Sequence, residues 1–423
     1  MFYVNDQYYD ASFIASCHRQ FKQHALLNDA KGLRLTVRVD NSELWLALCL
    51  YAQQHDISLF PLPADTPIAA ARRRAERSGS HYLLCGGESV LELLNSFESV
   101  ARDQNKRERD TNAVLVQMSS GTTGEPKYIE RTWKSIDTEL DSYVKHFSDA
   151  DSMTPVVACP LSHSYGLICG ALAAFKRGRE PHLIANLNPK YILRKLRSVE
   201  QGILYSSPVL ISTLAMMLSE DQPLYAVMSS GTLMHTQCFD RVKNKVRFFY
   251  QQYGCSEVGC IALGTGLHSP NDVGKVLPHL SVSAGTDVSQ AAEIVVKRGD
   301  GSEVLSRDLG YFDKRGHLFF LSRIDDMINV SGLNVYPAEV EEVVLAMPEI
   351  SDAAVFKRAH SFANEQVCLQ YQSKVHLDDE KIRTWCREKL AAYQVPMHIQ
   401  RVDKIERMAN GKLSRKKLSE ALL

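Results

Sequence analysis

Ser119-Ser120-Gly121-Thr122-Thr123-Gly124-Glu125-Pro126-Lys127 concentrates hydroxyls and glycines in one short loop and closes it with a cation. Glycine lets backbone approach an anion closely and tolerates positive φ. Successive backbone N–H groups in such a turn form an anion-binding nest. The hydroxyls add donors and Lys127 adds charge, so the stretch reads as a phosphate cradle. It is not the P-loop of kinases and GTPases, because the spacing G-x-x-x-x-G-K-[ST] is absent. The preceding run, Ala113-Val114-Leu115-Val116-Gln117-Met118, is short and apolar and predicts a buried strand. The cradle therefore leaves a strand end, and ligands of open α/β sheets gather at the carboxyl ends of strands.

On the N-terminal side, Ser42 to Gln54 reads as a helix, Ile57 to Leu62 as a strand ending at a proline, and Pro67 to Ser78 as an Ala/Arg-rich helix. This alternation predicts an α/β layer. On the C-terminal side, Gly310 to Arg323 reads as a hairpin turning at Lys314-Arg315-Gly316. The polar segment 322–326 that follows is the expected boundary between a large domain, 1–321, and a small one, 327–423. In the small part, a helix is expected over Ala338 to Met347, strands around Ala353 to Phe356 and Gln366 to Tyr371, and a helix from Asp379 to Ala392, ending before Pro396. The fold class expected is α/β: a large layered N-terminal domain with a small mobile α+β lid.

Composition excludes several classes. The 423 residues carry 49 basic and 49 acidic side chains, and no block of like charge forms a nucleic-acid arm. The ten cysteines lack paired metal spacing and read as reduced, buried thiols. Val156 to Phe175 is apolar but contains Ser162, His163 and Ser164, so it reads as core around a site and not as a membrane span. Met1 to Gln7 is polar and lacks a basic-then-apolar leader pattern. The expectation is a soluble cytoplasmic protein.

Further motifs follow the cradle in order. They are Tyr253-Gly254-Cys255-Ser256-Glu257, Asp308-Leu309-Gly310-Tyr311-Phe312-Asp313, Arg323-Ile324-Asp325-Asp326 with Ser331-Gly332 and Pro337-Ala338-Glu339, and Asn410-Gly411-Lys412-Leu413-Ser414-Arg415. Together with the cradle they resemble the adenylate-forming enzymes, the group of acyl-CoA synthetases, peptide-synthetase adenylation domains and luciferases. The resemblance covers roughly residues 110 to 420. The chain before the cradle is short for that family. Ser322 stands where the family usually has Gly, and Asn329 where many members have Lys.

The resemblance implies a two-step reaction. A carboxylate attacks the α-phosphate of ATP, giving an acyl-adenylate and pyrophosphate, and a thiol then captures the acyl group. Bringing two anions together calls for positive charge and alignment. Thr122, Thr123 and Gly124 are then expected to grip the β- and γ-phosphates, with Ser119, Ser120 and Gly121 in the same ATP-binding loop, Lys127 to order that loop or contact phosphate, and Glu257 to ligate Mg²⁺, which suits a hard carboxylate. Tyr253, Gly254 and Ser256 fall at the nucleotide, with the tyrosine ring on adenine and its hydroxyl as an anchor. Asp308 is expected to accept from both ribose hydroxyls, Arg323 to contact ribose or phosphate, and Lys412 to be the catalytic lysine. Asp325 matches the hinge about which the small domain rotates, and Gly332 lets a pantetheine arm pass.

Pro160-Leu161-Ser162-His163-Ser164-Tyr165-Gly166 aligns with the segment that begins the acid pocket. Amino-acid-activating relatives place an Asp there, whereas this chain offers His163 and Ser164, which disfavours an α-amino acid. Lys127 to Trp133 resembles aryl-acid-activating enzymes, with Trp133 where His is common. Ser230, Gly231 and Thr232 are expected at the pocket floor beside adenine, shortening it against long fatty chains. The substrate expected is an aromatic acid such as a hydroxybenzoate. The acceptor is a phosphopantetheine thiol, on an acyl carrier protein or on coenzyme A, with the carrier protein favoured. A non-catalytic nucleotide-binding relative is the competing class, but Glu257, Asp308 and Lys412 are all chemically competent. A kinase is disfavoured because both its glycine loop and its catalytic-loop pattern are absent.

Overall fold

The apolar runs of the large part are nearly continuous, as suits parallel strands covered on both faces. In the structure, a computed structural model that describes residues 1–100, 109–119, 127–219, 221–360, 364–407 and 413–420, they form two sheets. In the larger, Thr154–Val157, Gly202–Ser206, Leu224–Ser229 and Val246–Cys255 lie side by side and parallel. His182–Leu183 and Phe2–Val4 extend the parallel set beyond Thr154–Val157. On the other side the sheet turns antiparallel through Gly259–Gly264 and Asp272–Val276 to Leu318–Arg323 and Glu303–Phe312. Helices return the chain between the parallel strands, and their starts are chemically specified. Asn188 caps Pro189–Ser198 and Ser207 caps Pro208–Met216, each followed by proline in the first turn.

The second sheet has the order Glu98–Ser99, Tyr82–Cys85, Arg34–Arg38, Ser58–Leu62, Val114–Ser119, Lys127–Thr132. The expected N-terminal elements are present as Ser42–Gln54, Ser58–Leu62 and Ile68–Arg77. Helices Ala11–Gln23, Ser42–Gln54 and Trp133–His146 share one buried apolar cluster with residues of both sheets, including Leu59, Leu115, Tyr205 and Met228. Trp133 is part of that cluster, and its Nε1 donates to the Ile57 carbonyl at 2.9 Å. The departure from histidine there thus serves packing between helix and sheet.

Beyond the hairpin Glu303–Phe312/Leu318–Arg323 a separate apolar cluster begins at Ile328 and includes Val340, Val355, Leu369, Ile382 and Ile399. Its helix Pro337–Leu345 and strands Ile350–His360 and Asn364–Ser373 lie where the sequence places them, the strands longer than expected. The helix expected over Asp379 to Ala392 is corrected: it ends at Arg387, and a short 3₁₀ turn, Ala392–Gln394, follows. Gln394 is the reason. Its Oε1 accepts from Ala391 N–H at 3.0 Å and its Nε2 donates to Glu339 at 2.7 Å, so a tertiary bond outcompetes continued helix.

Arg415 fastens the last described helix, Arg415–Glu420, to this unit. Its guanidinium donates to Glu341 at 2.8 and 3.1 Å, to Asp326 at 3.2 Å and to the Val355 carbonyl at 2.9 Å. Glu341 is 4% exposed, so truncating Arg415 leaves a buried carboxylate without its cation. Such a break costs about 3–5 kcal/mol. Arg415→Met is expected to lower the denaturant midpoint of the transition that unfolds residues 328–420. An unchanged midpoint would show that the cluster contributes nothing to stability.

Candidate active site

Because the four parallel strands run in one direction, the segments leaving their carboxyl ends emerge at one edge. The strand ends carry Ser206 and Tyr253 to Cys255, and the segments that leave them carry His163 and Ser164, Ser230 to Thr232, and Ser256 and Glu257. Ser164 Oγ donates to Gln117 Oε1 at 2.5 Å, and Gln117 belongs to the strand Val114–Ser119. The phosphate-cradle strand and the expected acid segment are therefore adjacent. Tyr165 closes the same edge, donating from its hydroxyl to the Met228 carbonyl at 2.5 Å. The chain continues as an eight-residue π-helix, Tyr165–Leu172, a form that often accompanies functional sites.

Val114–Ser119 and Lys127–Thr132 form a hairpin whose last pair is Ser119 with Lys127. Lys127 is exposed at its mouth. Ser120, Gly121, Thr122, Thr123 and Gly124 lie outside the described residues, as does Lys412.

At the other end of the edge, Asp308 and Arg323 are register partners on neighbouring antiparallel strands. Tyr253 donates from its hydroxyl to Asp308 Oδ2 at 2.6 Å, and Arg323 Nε stands 3.1 Å from Asp308 Oδ1. The Tyr253 phenol is pushed well above its ordinary range, first by burial and then by the Asp308 charge. The hydroxyl expected to anchor adenine is thus committed to Asp308, while the ring packs against Phe320 with centroids 5.8 Å apart. A carboxylate has about four lone-pair sites. Asp308 is held on each oxygen and keeps acceptor capacity for ligand hydroxyls. Ser230 is half-buried, and Gly231 and Thr232 are exposed just past the strand Leu224–Ser229.

Ser256 and Glu257 are half-buried in the turn between Val246–Cys255 and Gly259–Gly264. Arg298 Nη2 donates to the Glu257 carbonyl at 2.5 Å. The neighbouring Cys255 thiol is pushed up to about 12, by burial first and by Glu257 second. It stays protonated at neutral pH and is a poor nucleophile. Among the described residues, no three His, Cys, Asp or Glu side chains gather to hold a metal ion.

Asp325 follows this region. Arg307 Nη2 donates to its Oδ1 at 3.0 Å, and Arg323 Nη2 stands 3.9 Å from Oδ2. Ser331 and Gly332, at φ 52° and 89°, form the tip of the hairpin Ile328–Val330/Leu333–Val335. Two positive φ values in a two-residue loop are the type I′ requirement. Asn329 Oδ1 accepts from Gly332 N–H at 2.9 Å, so the departure at 329 stabilises this turn.

Residues 26–284 match the AMP-binding enzyme family, and residues 339–412 match the AMP-binding enzyme C-terminal domain. The chain belongs to the AMP-binding enzyme family. It is 35% identical over 418 residues, 99% of this chain and 98% of the relative, to a 3,4-dihydroxybenzoate–[aryl-carrier protein] ligase of Bacillus anthracis. A 2-succinylbenzoate–CoA ligase of Bacillus licheniformis is 27% identical over 339 residues, 72% of this chain and 70% of the relative. Among solved structures, o-succinylbenzoate CoA synthetase from Bacillus subtilis, in complex with its acyl-adenylate intermediate, superposes with a TM-score of 0.83. It is 20% identical, with 98% of this chain and 94% of that one covered. ATP-bound MatB from Rhodopseudomonas palustris superposes with a TM-score of 0.82 at 19% identity, covering 96% and 92%. These superpositions show a shared fold. No described helix of this AMP-binding enzyme is long and apolar enough to cross a membrane.

Reading the sequence alone missed three partners in this AMP-binding enzyme. Gln117 meets Ser164, Arg298 holds the Glu257 carbonyl, and Glu139 accepts from Cys260 N–H. Two left a signal. Gln117 is an amide inside an otherwise apolar strand, and Glu139 falls on the face of its helix that buries Ile136, Leu140 and Tyr143. Arg298 left none.

Proposed function

We propose that the protein activates an aromatic carboxylic acid with ATP and loads it onto the phosphopantetheine thiol of a carrier protein. The end-to-end match to an aryl-carrier-protein ligase carries this reading. The Tyr253–Asp308–Arg323 constellation supports a ribose site, and the Gln117–Ser164 contact supports a polar group in the acid pocket beside the phosphate cradle. In the first step the acid's oxygen bonds to the α-phosphorus while the bridging bond to the β-phosphate breaks, and pyrophosphate leaves. Residues 119–124 and Lys127 hold the phosphates, and Lys412 supplies charge between the two anions. Glu257 would hold Mg²⁺, an ion that binds through one or two carboxylates together with substrate phosphates, and when bound it would offset phosphate charge. In the second step the acceptor sulfur bonds to the acyl carbon and AMP leaves. Residues 327–423 act as a lid that turns about Asp325, and Gly332 lines the path of the pantetheine arm. His163 and Ser164 face the acid, and Ser230 to Thr232 the pocket floor.

Acid-dependent pyrophosphate–ATP exchange over hydroxybenzoates, cinnamates, fatty acids and amino acids tests this. Exchange is expected with hydroxybenzoates, followed by acyl transfer to a phosphopantetheinylated aryl-carrier protein in preference to free coenzyme A. Exchange only with fatty acids, or transfer only to coenzyme A, would replace this reading with an acyl-CoA synthetase. Absence of exchange with every acid, despite ATP binding, would favour a non-catalytic relative.

A further inference from the structure

Behind the turn that carries Glu257 lies a buried ion pair. Arg131 comes from Lys127–Thr132, the strand that returns from the phosphate cradle, and Glu139 comes from the helix Trp133–His146 that follows it. Arg131 Nη2 and Glu139 Oε2 are 2.6 Å apart, and the two side chains are 4% and 1% exposed. The second carboxylate oxygen, Oε1, accepts from the Cys260 backbone N–H at 2.7 Å. Gly259, at φ +95°, lies against the pair so closely that a Cβ there would run into both carboxylate oxygens and Arg131 Nη1. The far side of the same turn is held by Arg298 through the Glu257 carbonyl.

Such a pair is a poor way to gain stability. Desolvating two charges offsets much of their attraction, and an apolar replacement of similar volume is often neutral or better. Here one donor, Arg131 Nη1, is buried with no hydrogen-bond partner among the described residues. What the pair does supply is a fixed carboxylate at one backbone N–H, three residues past Glu257. We propose that Arg131 and Glu139 are positioning residues for Glu257. They tie the strand and helix that follow the phosphate cradle to the turn bearing the metal carboxylate, so that phosphates and metal ligand keep their spacing. This rests on the reading of Glu257 as the Mg²⁺ ligand.

Arg131→Met with Glu139→Leu removes both charges without leaving either alone. Replacing the two charges is expected to cost little by itself, so the thermal midpoint should fall only by the small amount due to the Cys260 N–H losing its acceptor. The Mg²⁺ concentration for half-maximal pyrophosphate–ATP exchange is expected to rise about ten-fold, as for other lost partners of a metal ligand. Amide hydrogen exchange should quicken at residues 254–260 and not elsewhere. Arg131→Met with Glu139→Gln keeps the oxygen that accepts from Cys260 and should restore both readouts. An unaltered Mg²⁺ requirement and unaltered exchange at 254–260 in the Met/Leu variant would overturn the proposal. Glu257→Gln is measured alongside. If it raises the Mg²⁺ requirement while the Met/Leu variant does not, only the positioning role fails; if it does not, the Mg²⁺ reading itself fails, and the positioning role with it. Should the Met/Leu variant not fold, Arg131→Met with Glu139→Ala, which also removes the oxygen at Cys260 N–H, is read the same way, and unchanged turn protection there is equally fatal.

Discussion

Lys412→Ala is expected to lose acyl-adenylate formation by about 10²–10³-fold, the size of effect seen when one preorganised electrostatic donor is removed from a transition state. Thioester formation from supplied acyl-adenylate should remain within a few-fold of the unmodified enzyme. The argument is one of charge. The first step presses a carboxylate against a phosphate, and a lysine between them lowers a repulsion that water would otherwise screen. The second step has no such pair of anions, because the acyl group is already neutral. The comparison is made by pyrophosphate exchange for the first step and by single-turnover acyl transfer for the second. Equal loss in both half-reactions would count against a lysine that serves one step only, and against rotation of a lid about Asp325.

Asp308→Ala carries the second large effect. Hydrogen bonds to a charged group are worth about 1.5–3 kcal/mol each, and about 1.4 kcal/mol is a factor of ten. Loss of two bonds to ribose hydroxyls is then expected to cut kcat/KM for ATP by at least ~10²-fold. The same change strands the Tyr253 hydroxyl and the Arg323 guanidinium, which now hold the carboxylate at 2.6 and 3.1 Å. A diagnostic readout is discrimination between ATP and 2′-deoxy-ATP. The unmodified enzyme should prefer ATP, and the preference should shrink in Asp308→Ala. A preference that persists undiminished would place the ribose elsewhere.

Much of the candidate site is legible in the chain because it is built from short local patterns. An apolar run followed by Ser, Gly and Thr predicts a strand and an anion-binding loop, and the hairpin Val114–Ser119/Lys127–Thr132 has its mouth where the loop was expected. The tip at Ser331-Gly332 reads in the sequence only as a path for a pantetheine arm and not as a turn, although two positive φ values select a narrow set of residues. The helix ending at Arg387 was not legible, because nothing near Glu388 stops a helix; the stop comes from Gln394, whose side chain bonds Glu339, 55 positions earlier.

The sequence by itself carried the motifs of an adenylate-forming enzyme in their order, and with them the residues proposed for phosphate, metal, ribose and the catalytic lysine. Only the tertiary structure decided how those groups are held. Tyr253 turns its hydroxyl to Asp308 across 55 residues, Ser164 finds Gln117 across 47, and Glu139 reaches the backbone of Cys260 across 121. Local spacing governs which φ, ψ and hydrogen bonds a short segment takes. Contacts between distant segments depend on strand register, on helix rotation and on which buried polar atom lies within about 3 Å of another, and those are settled when the sheets and helices pack.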